Sequence, residues 1–240
     1  MAVRPDVRYA EMPIEPALVP YVRLIWTLEV DHPAAFGAPE RIVPDGIVEV
    51  VFHYGTPFDQ RVGQGAFVRQ PRTLVVSQTR RFIEIRPPGG GGFVSVRFHP
   101  WGACHFFGVP VRAFADSMVC ASDLWGREAL IVEERINTVR TAAERSRLVQ
   151  TFLRRLLRRH HKGSVEGLVR TVGALSSNRR VHVRMVSREV GMSERTLERT
   201  FRSGLGMPPK KLLHGIGGRP VLGFGLQDPL AVKFSEFAHT

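Results

Sequence analysis

The stretch VRMVSREVGMSERTLERTFRSGLG, residues 183–206, decides how this chain is read. Val183, Val186 and Val190 recur at helical spacing and form one apolar stripe. Gly191 follows, where a tight turn needs a positive φ. Met192 fills the corner. Ser193 is a good N-cap, because its hydroxyl accepts from an orphan amide of the first helical turn. Glu194 stands in that turn, where the helix dipole favours an acid. Leu197 and Phe201 share one face at i, i+4, and Gly206 with Pro208 ends the helix. Small Ser187, four residues before Gly191, sits where two helices come close. The spacing predicts a helix–turn–helix unit whose second helix covers residues 193–203.

In such a unit the second helix enters the DNA major groove and its exposed N-terminal side chains meet base edges. With Ser193 at the cap, those side chains are Arg195, Thr196, Glu198, Arg199 and Arg202. Arginine pairs bidentately with guanine, and glutamate accepts from cytosine N4. An ordinary αα-hairpin with a solvated second helix has the same apolar pattern, so the surrounding charge matters. The 240 residues carry a net charge of +12, from 34 basic and 22 acidic side chains. Residues 1–144 sum to −1, residues 145–220 to +14 and residues 221–240 to −1. An excess this concentrated points to a polyanion. Double-stranded DNA is the first candidate. An anionic membrane surface ranks lower, because the segment has no Trp- or Phe-rich amphipathic helix.

Upstream the pattern is that of strands. Residues 19–30 form an apolar run around Trp26, and residues 47–54 and 93–99 are strong strands. Residues 72–77 and 81–86 are shorter strand candidates. Asp45-Gly46 marks a turn, and PPGGGG at 87–92 reads as loop. From about Asp116 the period becomes helical, with a helix over 126–141 capped by Asp123, a second over 142–160 and a third from Ser164. The expected fold is α+β: a β-rich, barrel-like or sandwich domain over residues 1–160, then an all-α helix–turn–helix domain over 164–240.

Alternation places Glu49 and His53 on one strand face, and Ser95, Arg97 and His99 on another, inside otherwise apolar strands. Glu49, His53, Arg97 and His99 are thus a candidate effector pocket. An interior Glu49–Arg97 salt bridge and a solvent-facing sheet are the alternatives. His53, His99, Cys104 and His105 match no metal-site spacing, so no metal is expected. Cys104 and Cys120 fit neither a disulfide framework nor a CxxC pattern and read as reduced core thiols. The glycine run lacks the Lys-Ser/Thr of a phosphate loop. No catalytic constellation or cofactor loop is present, so no enzyme activity and no cofactor are expected. No run of about 18 apolar residues exists to span a membrane, and no apolar signal segment opens the chain; a cytoplasmic location is expected.

The segment SREVGMSERTLERTFRSGLGMPPKKLL, residues 187–213, resembles the first helix–turn–helix of AraC/XylS-type transcription regulators. Gly191, Ser193, Arg195, Leu197, Arg199, Phe201, Gly206 and Pro208 carry the resemblance. ERIVPDGIVEVVFHYG (40–55) and FVSVRFHPWGACHFFGVPV (93–111) resemble the sensor-like domain of one bacterial branch of that family. The resemblance implies a bacterial, cytoplasmic regulator that binds DNA sequence-specifically. It implies that Arg195, Glu198 and Arg199 face bases while Thr196 and Arg202 face phosphate. A small-molecule effector and a homodimer are further expected partners.

The family joins two such units by a long helix, and here the chain departs from it. Residues 214–229, HGIGGRPVLGFGLQDP, place five glycines and Pro220 where that helix belongs. Each glycine costs about 1 kcal/mol against alanine and proline about 3. FSEFAHT, residues 234–240, resembles only the opening of the second unit. The expectation is an incomplete second unit, that is, a truncation. The alternative function is a small-molecule binding module that has lost specific DNA binding.

Overall fold

The structure is a computed structural model that describes residues 7–32, 38–42, 47–77, 82–87, 89–99, 102–114, 117–160, 182–189, 191–204 and 208–210. Its first part is two antiparallel sheets. The larger has the order β1-β2-β9-β4-β7-β10. These strands are β1 (Val7–Met12), β2 (Val22–Val30), β4 (Glu49–Gly55), β7 (Thr73–Val76), β9 (Gly91–Phe98) and β10 (Met118–Cys120). The smaller has the order β3-β8-β5-β6, from Glu40–Ile42, Ile83–Arg86, Asp59–Val62 and Val68–Arg69.

The period-two pattern divides the large sheet into two buried faces. Trp26, Leu28 and Phe93 project from one face and meet Phe58, Ile83 and Ile85, so one core lies between the two sheets. Ile25, Val50, Phe52, Val94, Val96 and Phe98 project from the other and join the helices in a second core. A sheet covered on both sides accounts for strands far more apolar than a half-solvated sheet needs.

Three helices cover the second face: α1 (Ala121–Trp125), α2 (Arg127–Thr138) and α3 (Ala142–His160). The sequence predicts one helix over 126–141 capped by Asp123. The structure instead breaks the chain at Gly126, where φ +56 and ψ −137 lie outside helical space. Asp123 falls inside the first turn of α1. α3 matches its expected span. A capping box opens it: the Thr141 hydroxyl accepts from the Glu144 amide at 3.2 Å, and Glu144 Oε2 accepts from the Thr141 amide at 3.0 Å. Val149, Phe152, Leu153 and Leu156 bury its inner face. The Phe152 ring meets Phe52 and Trp125 edge-on at 6.1 and 5.4 Å.

The glycine run is a second correction. Gly91 and Gly92 are strand residues, not loop. A Cβ at Gly91 would lie 2.6 Å from the Thr56 carbonyl oxygen, and one at Gly92 would lie 2.3 Å from that of Leu28. Glycine is required there by close backbone approach.

Beyond α3, the described residues form α4 (Val183–Glu189) and α5 (Glu194–Gly204). The expected boundary at 160–164 lies at or beyond the end of α3; its residues past His160, the helix from Ser164 and residues 214–240 fall outside the described residues. The chain is therefore mixed α/β with sizeable antiparallel sheets. No described helix is long and apolar enough to cross a membrane.

Because Phe152 is the contact between α3 and both Phe52 and Trp125, Phe152→Ala should lower the unfolding free energy by about 3–5 kcal/mol. Denaturant titration followed by circular dichroism checks this. A loss under about 1 kcal/mol would mean that α3 does not close this core.

Candidate functional site

Hydrogen bonds that the sequence encodes one residue at a time set the corner between α4 and α5. The Met192 amide donates to the Ser187 carbonyl at 2.9 Å, and the Gly191 amide to the Arg188 carbonyl at 3.2 Å. This crossed pair satisfies the last carbonyls of α4 and needs a left-handed residue between them. Gly191 supplies it with φ +64; nothing lies within 4 Å of where its Cβ would be, so backbone conformation alone demands glycine. Ser193 then caps α5. Its hydroxyl accepts from the Thr196 amide at 3.2 Å and donates to Thr196 Oγ1 at 2.9 Å. Ser187 is buried, with its hydroxyl on the Arg184 carbonyl at 3.0 Å.

α5 has two unlike faces. Leu197 and Phe201 are fully buried, with Val186 of α4, in the same cluster as the helix-side core. Arg195, Glu198, Arg199 and Arg202 are exposed, and at 100° per residue they share one stripe. Thr196 is half-buried, and its hydroxyl already meets Ser193. Glu198 and Arg202 lie 3.8 Å apart as an exposed i, i+4 pair, which contributes a few tenths of a kcal/mol at most. Val190 lies outside the described residues.

The basic excess is less available than the residue count implies. In α3, Arg145 pairs with Glu29 at 2.9 Å, Arg154 with Glu15 at 3.1 Å and Arg159 with Glu128 at 2.5 Å. These acids come from the first 144 residues, so part of the +14 segment balances the −1 segment within the fold. No sequence spacing announces such long-range pairs. Arg147, Arg155 and Arg158 of α3, His182, Arg184 and Arg188, and the arginines of α5 are on the surface.

The second constellation lies between the sheets. Glu49 on β4 stands opposite Arg97 on β9, and Trp26 on β2 opposite Ser95. Glu49 Oε1 accepts from Trp26 Nε1 at 3.0 Å and from Ser95 Oγ at 2.5 Å, while Oε2 accepts from Arg97 Nη1 at 3.4 Å. All four residues are buried. The interior salt bridge is thus the arrangement found, and the solvent-facing sheet is not. His53, four residues further along β4 on the same face, meets Gln70 Oε1 through Nε2 at 2.9 Å, and Gln70 donates to Gln60 Oε1 at 2.8 Å. Burial among Phe58 and Phe93 pushes the His53 imidazole down to about 4, against weaker opposition from Gln70 and the Gly92 backbone.

His99 is not part of this group. It lies past the end of β9, with its amide on the Tyr21 carbonyl at 2.9 Å. Burial, helped by Arg23, also lowers its pKa to about 4. Of the four residues of the candidate pocket, the structure brings together Glu49 and Arg97, and places His53 on the same face of β4 but opposite Phe93, with Gln70 as its partner. Trp26 and Gln70 were missed: Trp26 reads as one more apolar residue, and Gln70 stands between two short strands with no periodic signal. Cys104 and His105 belong to the helix-side core next to Tyr21, across the sheet from His53. Among the described residues no three His, Cys, Asp or Glu side chains gather as metal ligands would.

A family model described as a domain of unknown function, DUF6597, matches residues 10–120. No curated protein matches the chain. Among solved structures, KdgF from Halomonas sp. is similar at 11% identity and TM-score 0.29, over 41% of this chain and 83% of that one. The AraC-like transcriptional activator CuxR is similar at 11% identity and TM-score 0.33, over 82% and 80%. A hydroxyethylphosphonate dioxygenase is similar at 10% identity and TM-score 0.27, over 88% and 49%.

His53 gives the fold a pH dependence. Its folded pKa, about 4, lies below the ordinary 6.5 of an unfolded chain, so the unfolded state binds the proton more readily. The stability it contributes is complete above about pH 6.5 and is lost as pH falls towards 4. Denaturant titrations at pH 7 and pH 4 should show wild type losing about 3 kcal/mol more than His53→Phe. Equal losses would show that His53 is not held neutral by the fold.

Proposed function

We propose that this chain is a sequence-specific DNA-binding transcription regulator that docks α5 in the major groove. The observation that carries this reading is the division of α5. Leu197 and Phe201 anchor it, while Arg195, Glu198, Arg199 and Arg202 line the opposite stripe, which no element among the described residues covers. The resemblance of residues 187–213 to the first unit of AraC/XylS-type regulators supports the same reading, and with it a bacterial, cytoplasmic setting. Arg195, Glu198 and Arg199 meet base edges; Thr196 and Arg202 meet phosphate, as do the N-terminal amides of α5 near Ser193. Recruitment or occlusion on a promoter requires no covalent step, and no catalytic residue is assigned.

A second reading is a small-molecule binding module without specific DNA recognition. It draws on the buried Glu49, Arg97 and His53 groups between the sheets, polar groups in an apolar surround of the kind that orients a small ligand. Ligand-induced stabilisation together with equal affinity for all duplexes would favour it.

Arg199→Ala should weaken binding to the preferred duplex by about 1–3 kcal/mol and relax the preference at one base position. Arg202→Ala should weaken all duplexes alike and lower the salt slope by about one. Fluorescence anisotropy against a set of singly substituted duplexes reads both. Uniform loss in Arg199→Ala would remove Arg199 from base reading.

A further inference from the structure

The outer face of the small sheet carries a repeated charge pattern. Ile83 and Ile85 of β8 point into the core between the sheets, so Glu84 and Arg86 point outward. Strand pairing then builds two rows across the strands. In one, Glu84 stands opposite Arg41 of β3 and Arg61 of β5. In the other, Asp59 of β5 stands opposite Arg86 of β8 and Arg69 of β6. Each carboxylate pairs with both neighbours: Glu84 with Arg61 and, at 3.3 Å, with Arg41; Asp59 with Arg69 at 2.7 Å and with Arg86 at 3.4 Å. Arg61 above all, with Arg41, holds the Glu84 carboxyl below its ordinary pKa, so its row stays ionised. Phe67 touches both rows: its ring centre is 4.7 Å from the Arg61 guanidinium carbon and 4.1 Å from that of Arg86. Arg41 lies over Phe82 at 4.1 Å.

Strand pairing alone needs one arginine per carboxylate. Here each carboxylate has two, so these rows carry an excess of positive charge. That excess is what faces outward: the Glu84 and Asp59 side chains are 12% and 15% exposed, the four arginines 35% to 57%. Arg61 and Arg86 also bring like charges to one ring, a repulsion that an anion placed between them relieves. Carboxylates and rings fix these guanidiniums before any partner arrives, so little side-chain freedom is left to lose on binding. An open face in water holds a single small anion weakly. A chain of anions gains from each row and from the counterions it releases. The rows are two residues apart along the strands, about 7 Å, so one extended chain running with the strands meets both. A phosphodiester chain fits, because the guanidinium fork suits phosphate oxygens and arginine planes backed by phenylalanine give unpaired bases a stacking platform. We infer that the outer face of the small sheet binds a nucleic acid single strand through Arg41, Arg61, Arg69 and Arg86.

Fluorescence anisotropy of the full chain across a salt series tests this, with a labelled oligo(dT) strand and, separately, a labelled duplex. Wild type should bind the strand. Arg61→Gln/Arg86→Gln should weaken the strand about tenfold or more and make its salt slope shallower by about 1.4, two phosphate contacts at about 0.7 each, while duplex affinity changes by less than about twofold. Arg199→Ala/Arg202→Ala should weaken the duplex and spare the strand, so a failure of α5 to read DNA and a failure of this face are told apart. Phe67→Leu keeps every charge and should still weaken the strand several-fold. Far-UV melting verifies that each variant folds. A wild type that leaves oligo(dT) free at low salt, an Arg61→Gln/Arg86→Gln variant that binds the strand like wild type or loses strand and duplex alike, or a Phe67→Leu variant equal to wild type would each overturn the inference. So would poly-glutamate displacing the strand at equal charge, which would assign the face to an acidic protein.

Discussion

A buried carboxylate constrains the sheet architecture. Glu49 sits between the sheets with donors from Trp26, Ser95 and Arg97. An unpaired charge in such a place costs several kcal/mol, and removing one partner of a buried pair typically costs about 3–5 kcal/mol. The donors come from β2 and β9, so satisfying Glu49 requires three strands in one register. A slip of one residue would turn Glu49, Ser95 and Arg97 towards the helices and put Val50, Val94 and Val96 in their place. The ion pair contributes less to net stability than to uniqueness, because an apolar replacement of similar volume stabilises such sites about as well.

That register has consequences on the other face of the sheet. It presents Val50, Phe52, Val94, Val96 and Phe98 as one apolar surface, which Trp125 and Phe152 cover. Ion pairs from Glu15, Glu29 and Glu128 then meet α3 at three points along its length. The same pairs draw on the arginine excess, and among the described residues exposed arginines stand both on α3 (Arg147, Arg155, Arg158) and on α4 and α5. Among the described residues charge thus links α3 to β2, to the turn at Glu15 and to α2, and leaves a basic surface on α3, α4 and α5.

Much of this was legible in the sequence where the signal is local. The stripe Val149, Phe152, Leu153, Leu156 locates α3, and Gly191 with Ser193 locates the corner of α4 and α5, because a cap and a left-handed turn are written in single residues. Alternation placed Glu49 with His53 and Ser95 with Arg97. The failures are non-local. Gly91 and Gly92 look like loop until Thr56 and Leu28 are seen to need their missing side chains. Gly126 looks like a tolerable helix residue until its φ of +56 is known. Alternation groups His99 with Arg97, but the strand ends at Phe98. Which strands join which sheet, and that Gln70 reaches His53, depends on pairing across the fold that no window of sequence contains.

Regulation by this chain stands or falls with α5 reading DNA sequence. The direct measurement is to incubate the purified chain with random-library duplex DNA and sequence what it retains at low and near-physiological salt. Base reading predicts one short motif whose enrichment persists at the higher salt, because contacts to base edges do not depend on counterion release. Retention without a motif, lost as salt rises, would contradict it: the exposed arginines would then be a basic surface and no more.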